Sequence, residues 1–294
     1  MSNLKLEYKS LCRIGEGVLW VSAEQAVYWT DILGNTLYKK CQDSIQTWHF
    51  ARGLTSIGIN QQGGLVGTFV DGLYILDLQN EQHKKISSPQ LDYQTIRFND
   101  GAVDSLGNYW AGTMHMDDPC NNPVGQLYRF SALGDWSIED NQYHVPNGPC
   151  FSADGKFMYH TDTLVRQQIY RCQLDNKGHL QSCTLFIHFA QDHVYPDGMC
   201  LDVEGNLWVA LWGGWAIQQY SPRGALLQEI RLPVSQVTKC VFGGVNMDTL
   251  YITTASEYLS PNDLSKQPLA GSLFSYKTQT QGYKEQKFTA DHKP

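Results

Sequence analysis

Four oxygen-bearing side chains recur at one spacing along this chain. Glu16 lies in Gly15-Glu16-Gly17, Asn99 in Phe98-Asn99-Asp100-Gly101, Asn147 in Pro146-Asn147-Gly148 and Asp197 in Pro196-Asp197-Gly198. An aromatic in a strand-like run follows each of them, after 13, 11, 12 and 11 residues: Trp29, Trp110, Tyr159 and Trp208. A glycine within two positions of each permits a sharp turn and close backbone approach. One Asn-Gly or Asp-Gly dipeptide is ordinary turn chemistry. Four in phase, one of them carrying Glu, are more than that. Two carboxylates and two amide carbonyls brought to one place are costly if bare. A bound cation relieves the cost, and all-oxygen ligation suits Ca²⁺, Mg²⁺ or Mn²⁺, with Zn²⁺ also admissible.

What could bring them together is a repeat. Six segments share a short strand, a tight polar turn and a second strand rich in aromatic and β-branched residues. The second strands include Tyr28-Trp29-Thr30-Asp31, Leu65-Val66-Gly67-Thr68 and Tyr109-Trp110-Ala111-Gly112-Thr113. Met158-Tyr159-His160-Thr161-Asp162, Leu207-Trp208-Val209-Ala210 and Leu250-Tyr251-Ile252-Thr253 complete the set. A third strand with apolar–polar alternation follows in each unit, as in Gly125-Gln126-Leu127-Tyr128-Arg129-Phe130. The markers are 37, 44, 49, 49 and 43 residues apart. Units of this length with three or four short strands predict an all-β, six-bladed β-propeller, one domain over residues 1–294. The strand before each marker should be innermost, which sets the four polar residues on one rim. Leu4–Tyr8 should pair with the last blade and cover its edge.

Composition narrows the partners. The 22 Lys and Arg against 29 Asp and Glu leave a net charge of −7, and no basic cluster exceeds Lys84-Lys85. Nucleic acid and anionic membrane are therefore excluded as expected partners. No run approaches 18 apolar residues, and the N-terminal residues lack the apolar stretch of a secretory signal. The eight cysteines stand singly, with no CxxC pair. Together these predict a cytoplasmic protein with reduced thiols, monomeric or weakly self-associating. No HExxH, Gly-x-Ser-x-Gly or P-loop pattern occurs, and His160 reads as a strand or pocket-wall residue.

At its motifs the chain resembles the SMP-30/gluconolactonase/regucalcin family. The motifs are Gly-Glu-x-x-x-Trp at 15–20, Arg-Phe-Asn-Asp-Gly at 97–101, Asn-Gly at 147–148 and Pro-Asp-Gly-Met-Cys at 196–200, in the family's order. Gly112-Thr113-Met114 and Phe242-Gly243-Gly244 match as well. The resemblance implies a six-bladed propeller that hydrolyses sugar-acid lactones with one divalent metal ion. It implies Glu16, Asn147 and Asp197 as metal ligands, Asp197 also as the catalytic proton carrier, and Arg97 and Asn99 as substrate contacts. Asp117 stands where animal relatives place a substrate-contacting Glu, one methylene longer. Asp100 is expected to orient the site, and the loop 117–123 could close over it or lie passive. A calcium-binding regulatory propeller with a structural ion, and a promiscuous esterase or phosphotriesterase, are the competing readings.

Overall fold

The repeats form six antiparallel sheets of four strands, one of which gains a fifth. The structure is a computed structural model and describes residues 3–289. The chain begins with β1 (Leu4–Tyr8) and runs into blade one: β2 (Gly15–Val21), β3 (Ala26–Asp31), β4 (Thr36–Cys41) and β5 (Ser44–His49). Blade two is β6 (Leu54–Asn60), β7 (Leu65–Phe69), β8 (Gly72–Asp77) and β9 (Gln82–Ser87). Blade three is β10 (Ile96–Val103), β11 (Tyr109–His115), β12 (Gly125–Phe130) and β13 (Trp136–Tyr143). Blade four is β14 (Pro146–Phe151), β15 (Phe157–Asp162), β16 (Gln168–Leu174) and β17 (Leu180–His188). Blade five is β18 (Tyr195–Leu201), β19 (Leu207–Trp212), β20 (Ala216–Tyr220) and β21 (Leu226–Arg231). Blade six is β22 (Val237–Gly243), β23 (Thr249–Thr254) and β24 (Leu273–Lys277), with α1 (Pro261–Lys266) between its last two strands. Its fourth strand is β1, paired antiparallel with β24 as expected, and β25 (Lys287–Phe288) adds in parallel to β6. The fold class is the all-β six-bladed β-propeller. No helix of the described residues is long and apolar enough to cross a membrane.

The chain divides into two compact units. One contains the chain up to Gly53 with Phe189–Lys284, hence blades one, five and six. The other contains Leu54–His188 and the segment from Glu285, hence blades two, three and four. In the first unit β22 packs against both β2 and β18; in the second β10 packs against both β6 and β14. Within each unit the first strands of the blades thus pack on one another, while fourth strands such as β21 carry mostly exposed residues.

The marker aromatics are core residues. Trp29, Trp110 and Trp208 are fully buried. Two of them are held by the turn that precedes them. Asp104 accepts from Leu106 N and Asn108 N through Oδ1, and from the Trp110 indole at 2.8 Å through Oδ2. Asp202 does the same for Glu204 N, Asn206 N and the Trp208 indole at 2.9 Å. One buried carboxylate therefore closes a hairpin turn and fixes the indole six residues on.

The expectation of uniformly reduced thiols does not hold. Cys172 and Cys183 form a disulfide. They are direct cross-strand partners on β16 and β17, with Cα atoms 4.0 Å apart. Singly scattered cysteines hid this pairing, because antiparallel register sets side by side residues that are eleven apart in sequence. The other six cysteines are in no disulfide.

Candidate functional site

All six innermost strands break register at the same place. Regular pairing is interrupted between Glu16 and Leu19, Leu54 and Ser56, Phe98 and Gly101, Asn147 and Cys150, Pro196 and Met199, and Val237 and Lys239. A β-bulge bends its strand and re-aims the side chains beside it. Glu16, Asn99, Asn147 and Asp197 each stand in or directly beside such a bulge. They are 6%, 7%, 7% and 5% exposed. Polar side chains this deep in a sheet protein need specific partners.

In the first unit Glu16 Oε2 accepts from Gly17 N at 2.9 Å. Asp31, at the end of β3, accepts from Arg13 N and Ile14 N at 3.0 and 3.1 Å, which fixes the approach of the chain to Glu16. Asp197 follows Pro196 at the bulge of β18. Between these strands runs β22, tied to β2 by a hydrogen bond from Thr238 Oγ1 to Gly15 O at 2.5 Å.

In the second unit the predicted residues are joined directly. Arg97 Nη1 donates to Phe98 O at 2.9 Å and to Asn99 Oδ1 at 2.8 Å. Asn99 Nδ2 donates to Asn147 Oδ1 at 2.6 Å and to Pro146 O at 3.1 Å. Asn147 Nδ2 in turn donates to Thr163 Oγ1 at 2.9 Å. The chain of donors sets the orientation of both amides, with the Asn147 carbonyl oxygen on the Asn99 side. Asp100 accepts from Gly101 N at 2.7 Å and Gly148 N at 3.1 Å. Gly148 has φ +81°, a left-handed conformation that disfavours side-chain-bearing residues. Asp100 thus holds the backbone beside Asn147. Asp162 repeats the device of Asp31: it accepts from His144 N and Val145 N at 3.2 and 3.1 Å, just ahead of Pro146-Asn147.

Asp117 is different. It is exposed, in the bend past the end of β11. The loop that follows is knit by Asp118, whose backbone N donates to His115 Nδ1 and whose carboxylate accepts from Asn121 Nδ2. His160 is buried against Tyr143 and Tyr170, as expected of a strand residue. Sequence reasoning missed Lys239, although the signal was present: it lies 12 residues before the marker Tyr251, inside the 11 to 13 window of the other four. It is only 7% exposed.

Known proteins share this chain's sequence and fold. Residues 14–256 match the model of the SMP-30/Gluconolactonase/LRE-like region. The chain is 34% identical to a 6-deoxy-6-sulfogluconolactonase of Pseudomonas putida, over 94% of each chain. It is 30% identical to regucalcin of Oryctolagus cuniculus, over 93% of this chain and 94% of that one. Among solved structures, a calcium-binding protein, regucalcin, from Agrobacterium tumefaciens superposes with a TM-score of 0.90 at 24% identity, covering 96% of this chain and 95% of that one.

Proposed function

Because the chain belongs to the SMP-30/gluconolactonase/LRE-like family, we propose that it hydrolyses an aldonolactone to the open aldonic acid with the help of one divalent cation. The observation that carries this reading is the pair of buried carboxylates, Glu16 and Asp197, at matching bulges of the two strands that flank β22. Carboxylates are the ligands that hard divalent cations take. Glu16, Asn147 and Asp197 each offer an oxygen of the kind a divalent cation takes, and hydrogen bonds define which atom of the Asn147 amide is that oxygen. Ca²⁺, Mn²⁺, Mg²⁺ and Zn²⁺ all suit such donors. The cation, when bound, polarises a carbonyl oxygen as a Lewis acid.

The chain's own residues do the rest. The Arg97 guanidinium, anchored by Phe98 O and Asn99 Oδ1, offers its fork to sugar hydroxyls or to the oxyanion of the tetrahedral intermediate. Asn99 sits beside it as a second polar contact, and Asp117 is the third substrate contact from the lip of β11. Asp197 takes the proton of the attacking water and returns it to the ring oxygen as the C–O bond breaks. Residues 1–294 act as one domain, monomeric or weakly self-associating. The calcium-binding description of the Agrobacterium relative supports the choice of a divalent ion.

Acid release from glucono-1,5-lactone or an arabinonolactone, followed with a pH indicator in weak buffer, tests the reading. Hydrolysis should exceed the spontaneous rate, disappear with chelator and return with at least one of the four cations. Full turnover by metal-stripped protein would overturn the cation's role, and no turnover under any condition would overturn the lactonase reading.

A further inference from the structure

Blade four gathers one imidazole and two sulfurs on its second, third and fourth strands. Side chains alternate faces along a strand, so Met158 and His160 share a face of β15. Register carries that face outward: Met158 opposes Cys172, and Cys172 opposes Cys183. A ring nitrogen of His160 and the two Sγ atoms lie within 4.8 Å of one another. In a tetrahedron with Zn–S bonds of about 2.3 Å and a Zn–N bond of about 2.0 Å, such donors stand about 3.5–3.8 Å apart. The two cysteine Cα atoms are 4.0 Å apart, so with the S–S bond open, rotation about χ1 reaches that sulfur separation. His160 is 1% exposed, yet its ring nitrogens make only long contacts, 3.4 Å to Thr161 O and 3.4 Å to Tyr143 Oη. A buried imidazole so loosely held can turn a nitrogen to a cation.

We propose that, once the Cys172–Cys183 bond is reduced, the two thiolates and His160 bind a thiophilic divalent cation of the Zn²⁺ type. The site shares no residue with the all-oxygen set and does not depend on the lactonase reading. The reductant is a dithiol: it gives two electrons to the S–S bond and two protons to the sulfurs, and leaves as its own disulfide. Cys183, partly exposed on β17, is the sulfur it reaches. Zn²⁺ then displaces the two protons. Two thiolates cancel its charge, so the loaded group is neutral, which suits a place where His160 and Cys172 are 1% and 0% exposed. Sulfur and imidazole donors favour Zn²⁺ over Ca²⁺ or Mg²⁺, which take oxygen. Three protein donors leave the fourth position of the tetrahedron to water. The disulfide joins β16 to β17; the cation would join β15 to both.

The test takes the full chain, reduced with dithiothreitol, stripped with chelator and desalted under nitrogen, and titrates it with Co²⁺ as the spectroscopic probe for Zn²⁺. Co²⁺ should raise a thiolate-to-cobalt charge-transfer band, which an all-oxygen site cannot give, and Zn²⁺ should remove it by displacement. Protein left unreduced should show no such band. The double variant Cys172→Ser/Cys183→Ser should lose the band, and His160→Gln should bind Co²⁺ at least about tenfold more weakly, since even changes behind the ligands cost that much. In reduced wild type, Zn²⁺ should slow alkylation of Cys172 and Cys183 and leave that of Cys41 and Cys120 unchanged, as read by peptide mapping. If a variant does not fold, the alkylation pattern decides alone. A reduced wild type without the band, a band that survives the double substitution, unchanged affinity in His160→Gln, or alkylation indifferent to Zn²⁺ would each overturn the proposal.

Discussion

Asp197 and Glu16 are both buried carboxylates, yet they should fail differently on substitution. Asp197→Ala removes the proposed ligand and the proposed proton carrier together, so turnover should fall by at least about 10³-fold, with weaker cation binding measured by calorimetry. Near-wild-type turnover would sink the assignment. Glu16→Gln keeps the shape and loses only charge; cation affinity should drop while far-UV circular dichroism stays unchanged. His160 gives a residue-scale prediction about pH. Burial lowers its pKa from 6.5 to about 4. The unfolded chain therefore binds the extra proton between those values, so stability should fall as pH drops from about 6.5 to about 4 and the loss should level off below that. The full effect is on the order of 3 kcal/mol. Urea unfolding of wild type and His160→Phe across that range checks it: the variant should lose less on acidification. Parallel curves would contradict it.

Elements are held in place by carboxylates that do no chemistry. Asp162 ties the chain ahead of β14 through His144 N and Val145 N, and its side chain also meets His144 Nδ1 at 3.0 Å. Asp162→Ala strands buried N–H groups, and each typically costs about 1–3 kcal/mol. We expect a destabilisation of about 3 kcal/mol in urea, and a weaker cation site, because Asn147 follows directly on this segment. Loss of stability with unchanged cation affinity would separate the two roles. The β16–β17 disulfide makes a second prediction at this scale. It closes a loop of eleven residues, so Cys172→Ser should cost roughly 3 kcal/mol on chain-entropy grounds. Non-reducing peptide mapping should recover the 172–183 cross-link, and finding both thiols free would remove it from the protein in solution.

On the scale of the whole molecule, each sheet carries its own ladder of hydrogen bonds, and within each unit aromatic residues of neighbouring sheets share one buried cluster. Chelation should thus abolish turnover and leave the melting temperature within a few degrees of the loaded protein apart from the mass-action contribution of the ion itself. Unfolding on chelation would instead mark the ion as structural. The polar character of Arg97, Asn99 and Asp117 also predicts that aldonolactones exceed long-chain acyl lactones and simple aryl esters in kcat/KM by at least about tenfold, since unpaired polar groups penalise a substrate lacking hydroxyls.

Much of this was determined by sequence alone. Blade number, the three inner strands of each blade, the closing of blade six by β1 and the phase of Glu16, Asn99, Asn147 and Asp197 all follow from a period, and a period is a one-dimensional property. Only the tertiary structure decided the rest. It decided that the in-phase residues stand at bulges, because a bulge is a mismatch between two strands and neither strand shows it alone. It joined Arg97, Asn99 and Asn147 in one donor chain and left Asp117 exposed, since hydrogen bonds depend on side-chain direction. Strand register made a disulfide of two cysteines that read as solitary. Lys239 stayed hidden because lysine is usually a surface residue, until its contact with Gly198 and its burial set it beside Asp197.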